Sequence, residues 1–94
     1  MVLWFLYVLR CGDNSLYTGV TTDISRRVKE HSGESKGAKY TRNRGPFDVV
    51  YWESHADQST AQKAEAAFKK LNKKEKERRI SEHILKNWNK VSAL

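Results

Sequence analysis

The chain is poor in sulfur, in acid and in apolar length. Cys11 is the single cysteine among 94 residues. One thiol excludes an intrachain disulfide and a multi-cysteine zinc site, and it fits a reducing compartment. The apolar stretch from Val2 to Leu9 is eight residues long, where a membrane helix needs about 20. No basic leader or small-residue cleavage site accompanies it, so it reads as neither a signal peptide nor a membrane span, and a cytoplasmic location is expected. Internal repeats and low-complexity linkers are missing as well. A single domain over 1–94 is expected, with its structured module over about 3–86, because domains run roughly 50–250 residues. Apolar residues make up 38%, with three Trp, four Tyr and three Phe. That supports one compact core but not a deep closed pocket, so a site would be an open groove.

Acid is scarce against base: 11 Asp and Glu face 18 Lys and Arg, for a net charge of +7. The excess is unevenly placed. Arg26, Arg27, Lys29, Lys36, Lys39, Arg42 and Arg44 face only Glu30 and Glu34 over the same stretch. A patch of that kind attracts polyanions, with phosphates the leading candidates; a merely solubilising surface is the alternative.

The opening run is aromatic and aliphatic on both parities, which predicts a central strand covered on both faces. Cys11 reads as a small core residue at its end. Gly12-Asp13-Asn14-Ser15 is a dense turn signal, and residues 16–21 return as a second strand, so 3–21 form a hairpin. Thr22 or Asp23 caps a helix over 24–31, which Gly33 ends. Ile24 and Val28 form its apolar stripe, Arg27 and His31 share that sector, and Arg26, Lys29 and Glu30 face outward. Residues 32–46 read as a long basic loop. Residues 47–53 are β-branched and aromatic and make a third strand. Ser59-Thr60-Ala61-Gln62 is read as the cap of a second helix burying Ala61, Ala64, Phe68 and Leu71. Asn72 with Glu75 caps a third, over about 73–88, expected to bury Ile80, Ile84, Leu85 and Trp88. The fold class is α+β: a three-stranded, mainly antiparallel sheet with flanking helices, in the order β-β-α-β-α-α.

Two tyrosines, Tyr7 and Tyr17, lie on the two arms of the hairpin. They face the same side only if paired residue numbers have an even sum, as with Leu9 opposite Gly19. A two-residue Asp13-Asn14 turn gives an odd sum, so a loop of three or five residues, or a bulge, is required between Cys11 and Tyr17.

The pieces Phe5-Leu6-Tyr7-Val8-Leu9, Leu16-Tyr17-Thr18-Gly19-Val20-Thr21, Ser25-Arg26-Arg27-Val28-Lys29-Glu30-His31, Ala38-Lys39-Tyr40-Thr41 and Ala64-Glu65 together resemble the GIY-YIG nuclease superfamily. The likeness is to its small, stand-alone bacterial branch. The first namesake triplet keeps only Tyr7, and the second has Thr18 between Tyr17 and Gly19. A helix asparagine used by some branches has no clear match.

The resemblance implies an α+β fold and a metal-dependent endonuclease that hydrolyses phosphodiester bonds. DNA is favoured over RNA, in structure-specific or repair-related cleavage. It implies Mg²⁺ or Mn²⁺ on Glu65, since Mg²⁺ takes hard oxygens and often only one or two carboxylates. Arg27 would bind the scissile phosphate. Tyr7 and Tyr17 would orient or deprotonate the attacking water, with positive charge nearby to help a phenol whose ordinary pKa is ~10. His31 would contact phosphate or carry a proton. Gly19 would let the substrate backbone approach, and Arg26, Lys36, Lys39, Tyr40, Thr41, Arg42 and Arg44 would grip nucleic acid, Tyr40 by stacking.

Each residue also has a plain reading. The tyrosines are good strand residues, Arg27 can snorkel past a sheet edge, and His31 suits a helix end. Glu65 can pair with Lys69 at i+4. The run from Lys69 to Arg79 reads mainly as a solvated basic face. A non-catalytic nucleic-acid-binding module is therefore the alternative function, and a scaffold recruited through the last helix is a third.

Overall fold

The computed structural model describes residues 2–31 and 46–92, with backbone alone for 88–92. Six elements follow in order: β1 (Trp4–Arg10), β2 (Leu16–Thr21), α1 (Ile24–His31), β3 (Asp48–His55), α2 (Gln58–Lys70) and α3 (Lys73–Ser92). The sheet order is β2-β1-β3, both pairings antiparallel. This is the expected α+β architecture.

β1 is apolar on both parities because it is the central strand. Leu6 and Val8 join Val50, Phe68 and Ile80 in a core beneath α2 and α3. Tyr7 and Leu9, which alternate with them, are equally buried on the opposite face. Full burial of each such aliphatic chain contributes about 1.5–3 kcal/mol. Between Val8 and Leu9 the pairing with β3 shifts register. The resulting bulge gives β3 an extra residue, Val50, which lies in the core.

The hairpin pairs Tyr7 with Gly19 and Leu9 with Tyr17, an even sum. Its loop is 12–14, closed by Cys11 N–H donating to Ser15 O at 2.8 Å and Asn14 N–H donating to Cys11 O at 2.9 Å. Asn14 takes the left-handed conformation (φ 69°) that such a loop demands, and asparagine tolerates it well. The required three-residue loop is therefore present, and Cys11 is buried just past β1. Asp23 accepts the Arg26 N–H at 3.0 Å and caps α1. Asn72 does the same for Glu75 N–H at 2.9 Å and opens α3.

Three expectations need correction. The cap of α2 is Asp57, whose carboxylate accepts Thr60 N–H at 2.8 Å, so Ser59 and Thr60 lie inside the first turn. β3 runs over Asp48–His55 rather than 47–53. α3 buries Ile80 but leaves Ile84 48% and Leu85 64% exposed. One turn beyond Ile80 it is His83 that faces the sheet, its ring 4.9 Å from that of Tyr51 and 4.2 Å from that of Trp52. The helix thus meets β3 along the Ile80–His83 line, and Ile84 and Leu85 fall beside it. The side chain of Trp88 and the whole of the basic loop 32–45 lie outside the described residues.

Candidate functional site

On the sheet face opposite the α2–α3 core, β1 supplies Tyr7, β2 supplies Tyr17, and α1 supplies Arg27 and His31. The hairpin register puts both phenols on one side, with ring centroids 6.3 Å apart. Helical spacing of four residues places Arg27 and His31 on the same α1 face, turned toward them. Tyr7 Oη lies 3.0 Å from His31 Nε2, a hydrogen bond between two buried side chains. The Tyr17 ring meets the His31 ring edge-on at 4.8 Å, and Phe47 closes on His31 from 6.1 Å.

Arg27 is the charge in this cluster. Its Nη1 donates to Glu30 Oε1 at 2.8 Å, and the guanidinium also engages both phenols. Those partners raise its pKa, so it is a permanent cation. Burial pushes the Tyr7 phenol up to about 12, against the opposing pull of Arg27. Burial, with Arg27 beside it, holds the His31 imidazole below its usual 6.5. At neutral pH the site therefore presents a neutral phenol, a neutral imidazole and a fixed positive charge. Tyr7 O–H donating to an unprotonated His31 nitrogen fits those states.

Glu65 stands on α2, close enough for its charge to raise the Tyr7 pKa. It is half-buried, and its Oε2 lies 3.4 Å from Lys69 Nζ, so the i+4 ion pair is present. Among the described residues no group of three or more His, Cys, Asp or Glu could hold a metal ion. One half-buried carboxylate still fits Mg²⁺ or Mn²⁺. Mg²⁺ keeps several waters and is usually bound by one or two carboxylates plus substrate phosphates.

Gly19 sits opposite Tyr7 on the same face. A Cβ there would lie 2.7 Å from Tyr7 Oη and 2.9 Å from its Cζ. The space that its missing side chain leaves is filled by Tyr7 itself. Arg26 is exposed on α1. Lys36, Lys39, Tyr40, Thr41, Arg42 and Arg44 lie outside the described residues. Glu30, expected to face outward, is half-buried against Arg27; its position three residues on is the signal that could have found the pair.

Comparison with known proteins supplies the family. The model of the GIY-YIG catalytic domain matches residues 3–78. The chain belongs to the GIY-YIG catalytic domain family. It is 51% identical over 69 residues to a UPF0213 protein of Desulfotalea psychrophila, covering 73% of this chain and 63% of that protein, less than two thirds of its length. It is 50% identical over 78 residues to a UPF0213 protein of Listeria innocua, covering 83% of this chain and 86% of the other. A solution NMR structure of a protein from E. faecalis superposes with a TM-score of 0.59 at 41% identity, covering 87% and 88% of the two chains. Membership carries a nuclease-type function at the level of the family. Among the described residues no helix is long and apolar enough to cross a membrane.

Proposed function

We propose that the protein is a metal-dependent endonuclease that hydrolyses phosphodiester bonds in nucleic acid, with DNA favoured. The observation that carries this reading is the 3.0 Å hydrogen bond between Tyr7 Oη and His31 Nε2, made beside the Arg27 cation. A phosphate drawn to Arg27 has its developing negative charge met by a fixed guanidinium. The attacking water then needs a proton acceptor. Burial pushes the Tyr7 phenol up to about 12 in the metal-free site, so a route that keeps it neutral avoids the cost of a free tyrosinate. Instead water gives its proton to Tyr7 Oη as Tyr7 passes its own proton to His31 Nε2. Meanwhile the water oxygen bonds to phosphorus and the bond to the leaving sugar oxygen breaks, that oxygen taking a proton from solvent. The phenol is neutral before and after, and the imidazole ends as imidazolium. Tyr17 holds the water or phosphate from the other side. Glu65 would hold a divalent cation that neutralises phosphate charge when bound. Membership of the family, the basic charge excess and the lowered His31 pKa support the same assignment.

One observation favours a second reading, a binding module that does not cut: Lys69 already pairs with Glu65. The test is cleavage of labelled single-stranded, duplex, flap and junction DNA and matched RNA, with Mg²⁺ or Mn²⁺. Loss of cleavage in folded Glu65→Gln and Tyr7→Phe variants supports the nuclease. Salt-dependent binding that is indifferent to metal and never followed by cutting would move the assignment to the binding module.

A further inference from the structure

Behind Tyr17 a cleft of about 300 Å³ opens, lined by Leu16, Tyr17, Thr18, Lys69 and Lys76. Its floor is the β2 edge strand and its rim is the end of α2 and the start of α3. It carries two ammonium groups and no carboxylate. One of the two, Lys69, already pairs with Glu65 at 3.4 Å, and Glu77, next to Lys76 in sequence, is held by Arg10 through a fork of 2.9 and 2.6 Å. Lys76 is half-buried and, among the described residues, pairs with no carboxylate. Burying part of an unpaired ammonium stem beside a cleft is favourable when an anion completes it.

The cleft is joined to the site at two points. Tyr17 lines it and also meets His31, while Lys69 lines it and also holds Glu65. An anion here therefore sits next along the surface from one bound at Arg27. We infer that the Lys69–Lys76 cleft binds a backbone phosphate of the nucleic-acid strand flanking the scissile one. Around it, residues 69–79 add five further cations, Lys70, Lys73, Lys74, Arg78 and Arg79, which widen the attraction without lining the cleft. This rests on the proposal that the protein engages nucleic acid, but it does not require cleavage.

The experiment is binding of a labelled single-stranded oligonucleotide in EDTA, measured as a function of salt. The native protein is compared with Lys69→Gln/Lys76→Gln, and with Lys63→Gln/Lys70→Gln as a charge-matched control on exposed α2 positions. Removing one lysine–phosphate pairing lowers the slope of log K against log salt by roughly 0.7. The slope for the cleft variant should fall by about 0.7, for the one phosphate the cleft holds, and that for the control by under half as much. Amide signals of Leu16 and Thr18 should shift on adding oligonucleotide in the native protein and stay still in the cleft variant. Equal reductions in both variants, or shifts that persist without the two lysines, overturn the cleft. Shifts with inorganic phosphate but none with oligonucleotide overturn it too, in favour of a free-phosphate site. A native protein that fails to bind any oligonucleotide overturns both the cleft and the reading beneath it.

Discussion

Tyr7 with His31 and Tyr51 with His83 are two tyrosine–histidine pairs among the described residues, and the proposed function gives chemistry to only the first. Tyr7 and His31 meet through a 3.0 Å hydrogen bond; Tyr51 and His83 meet through their rings, 4.9 Å between centroids. In both, burial raises the phenol and lowers the imidazole. The difference lies in the third partner. Tyr7 has Arg27, a cation able to hold a phosphate. Tyr51 donates to Glu53 at 3.2 Å, an acid that repels one. His83 Nε2 has no hydrogen-bond partner among the described residues. The second pair is packing between β3 and α3, with the Phe68 ring 5.4 Å from Tyr51. On the proposed function, identical side-chain types thus divide into site and scaffold according to the charge beside them.

The sharpest way to break the comparison is to remove that charge. Arg27→Ala should lower cleavage roughly 10²–10³-fold, the usual loss for one fixed donor to a developing anion. Its readout is single-turnover cleavage. Tyr7→Phe, which interrupts the proton path, should cost on the order of 10² or more, whereas Tyr51→Phe should leave the rate unchanged. The Tyr51 variant loses one hydrogen bond, for about 1 kcal/mol in a denaturant titration.

Gly19→Ala probes the same pair by shape alone. Its methyl group would meet the Tyr7 phenol, so thermal or denaturant unfolding should show about 1–3 kcal/mol of destabilisation, together with loss of cleavage as Tyr7 leaves His31.

The smallest expected effects are those of pH. Folded His31 takes its proton less readily than the unfolded chain. Its contribution to stability is therefore complete above pH 6.5 and is lost as pH falls through the lowered value. Tyr7 runs the other way: its contribution is complete below pH 10 and is lost as pH rises toward 12. Denaturant midpoints across pH should show both slopes, and His31→Gln should flatten the acid one. The cleavage rate should rise through the same lowered His31 value and be level at neutrality.

The fold is legible in the sequence because its signals are local. Apolar residues on both parities mark β1, Asp23 and Asn72 carry caps, and the parity of Tyr7 and Tyr17 dictates the hairpin loop. The Tyr7–Tyr17–Arg27–His31 cluster is legible for the same reason, through hairpin register and helical spacing. What stays hidden depends on where one element lies on another. Ile84 and Leu85 have the right spacing for burial, yet His83 takes the inward place because α3 meets β3 there along the Ile80–His83 line. Glu30 reads as solvent-facing because its ion pair depends on how Arg27 turns toward the sheet. Gly19 reads as room for substrate until the Tyr7 ring is seen to occupy it. The cleft between Lys69 and Lys76 joins β2 to residues some fifty positions away, and no periodicity reports such a meeting.

The most direct test of the central claim is single-turnover cleavage by the native protein, Tyr7→Phe and Tyr51→Phe across pH ~5 to ~9, with Mg²⁺ or Mn²⁺ supplied. The account predicts a native rate that increases with pH up to a plateau reached by pH 6.5, lowered about a hundredfold or more in Tyr7→Phe and intact in Tyr51→Phe. Equal rates in all three proteins, or equal losses in both variants, would contradict the division of the two pairs into a site and a scaffold.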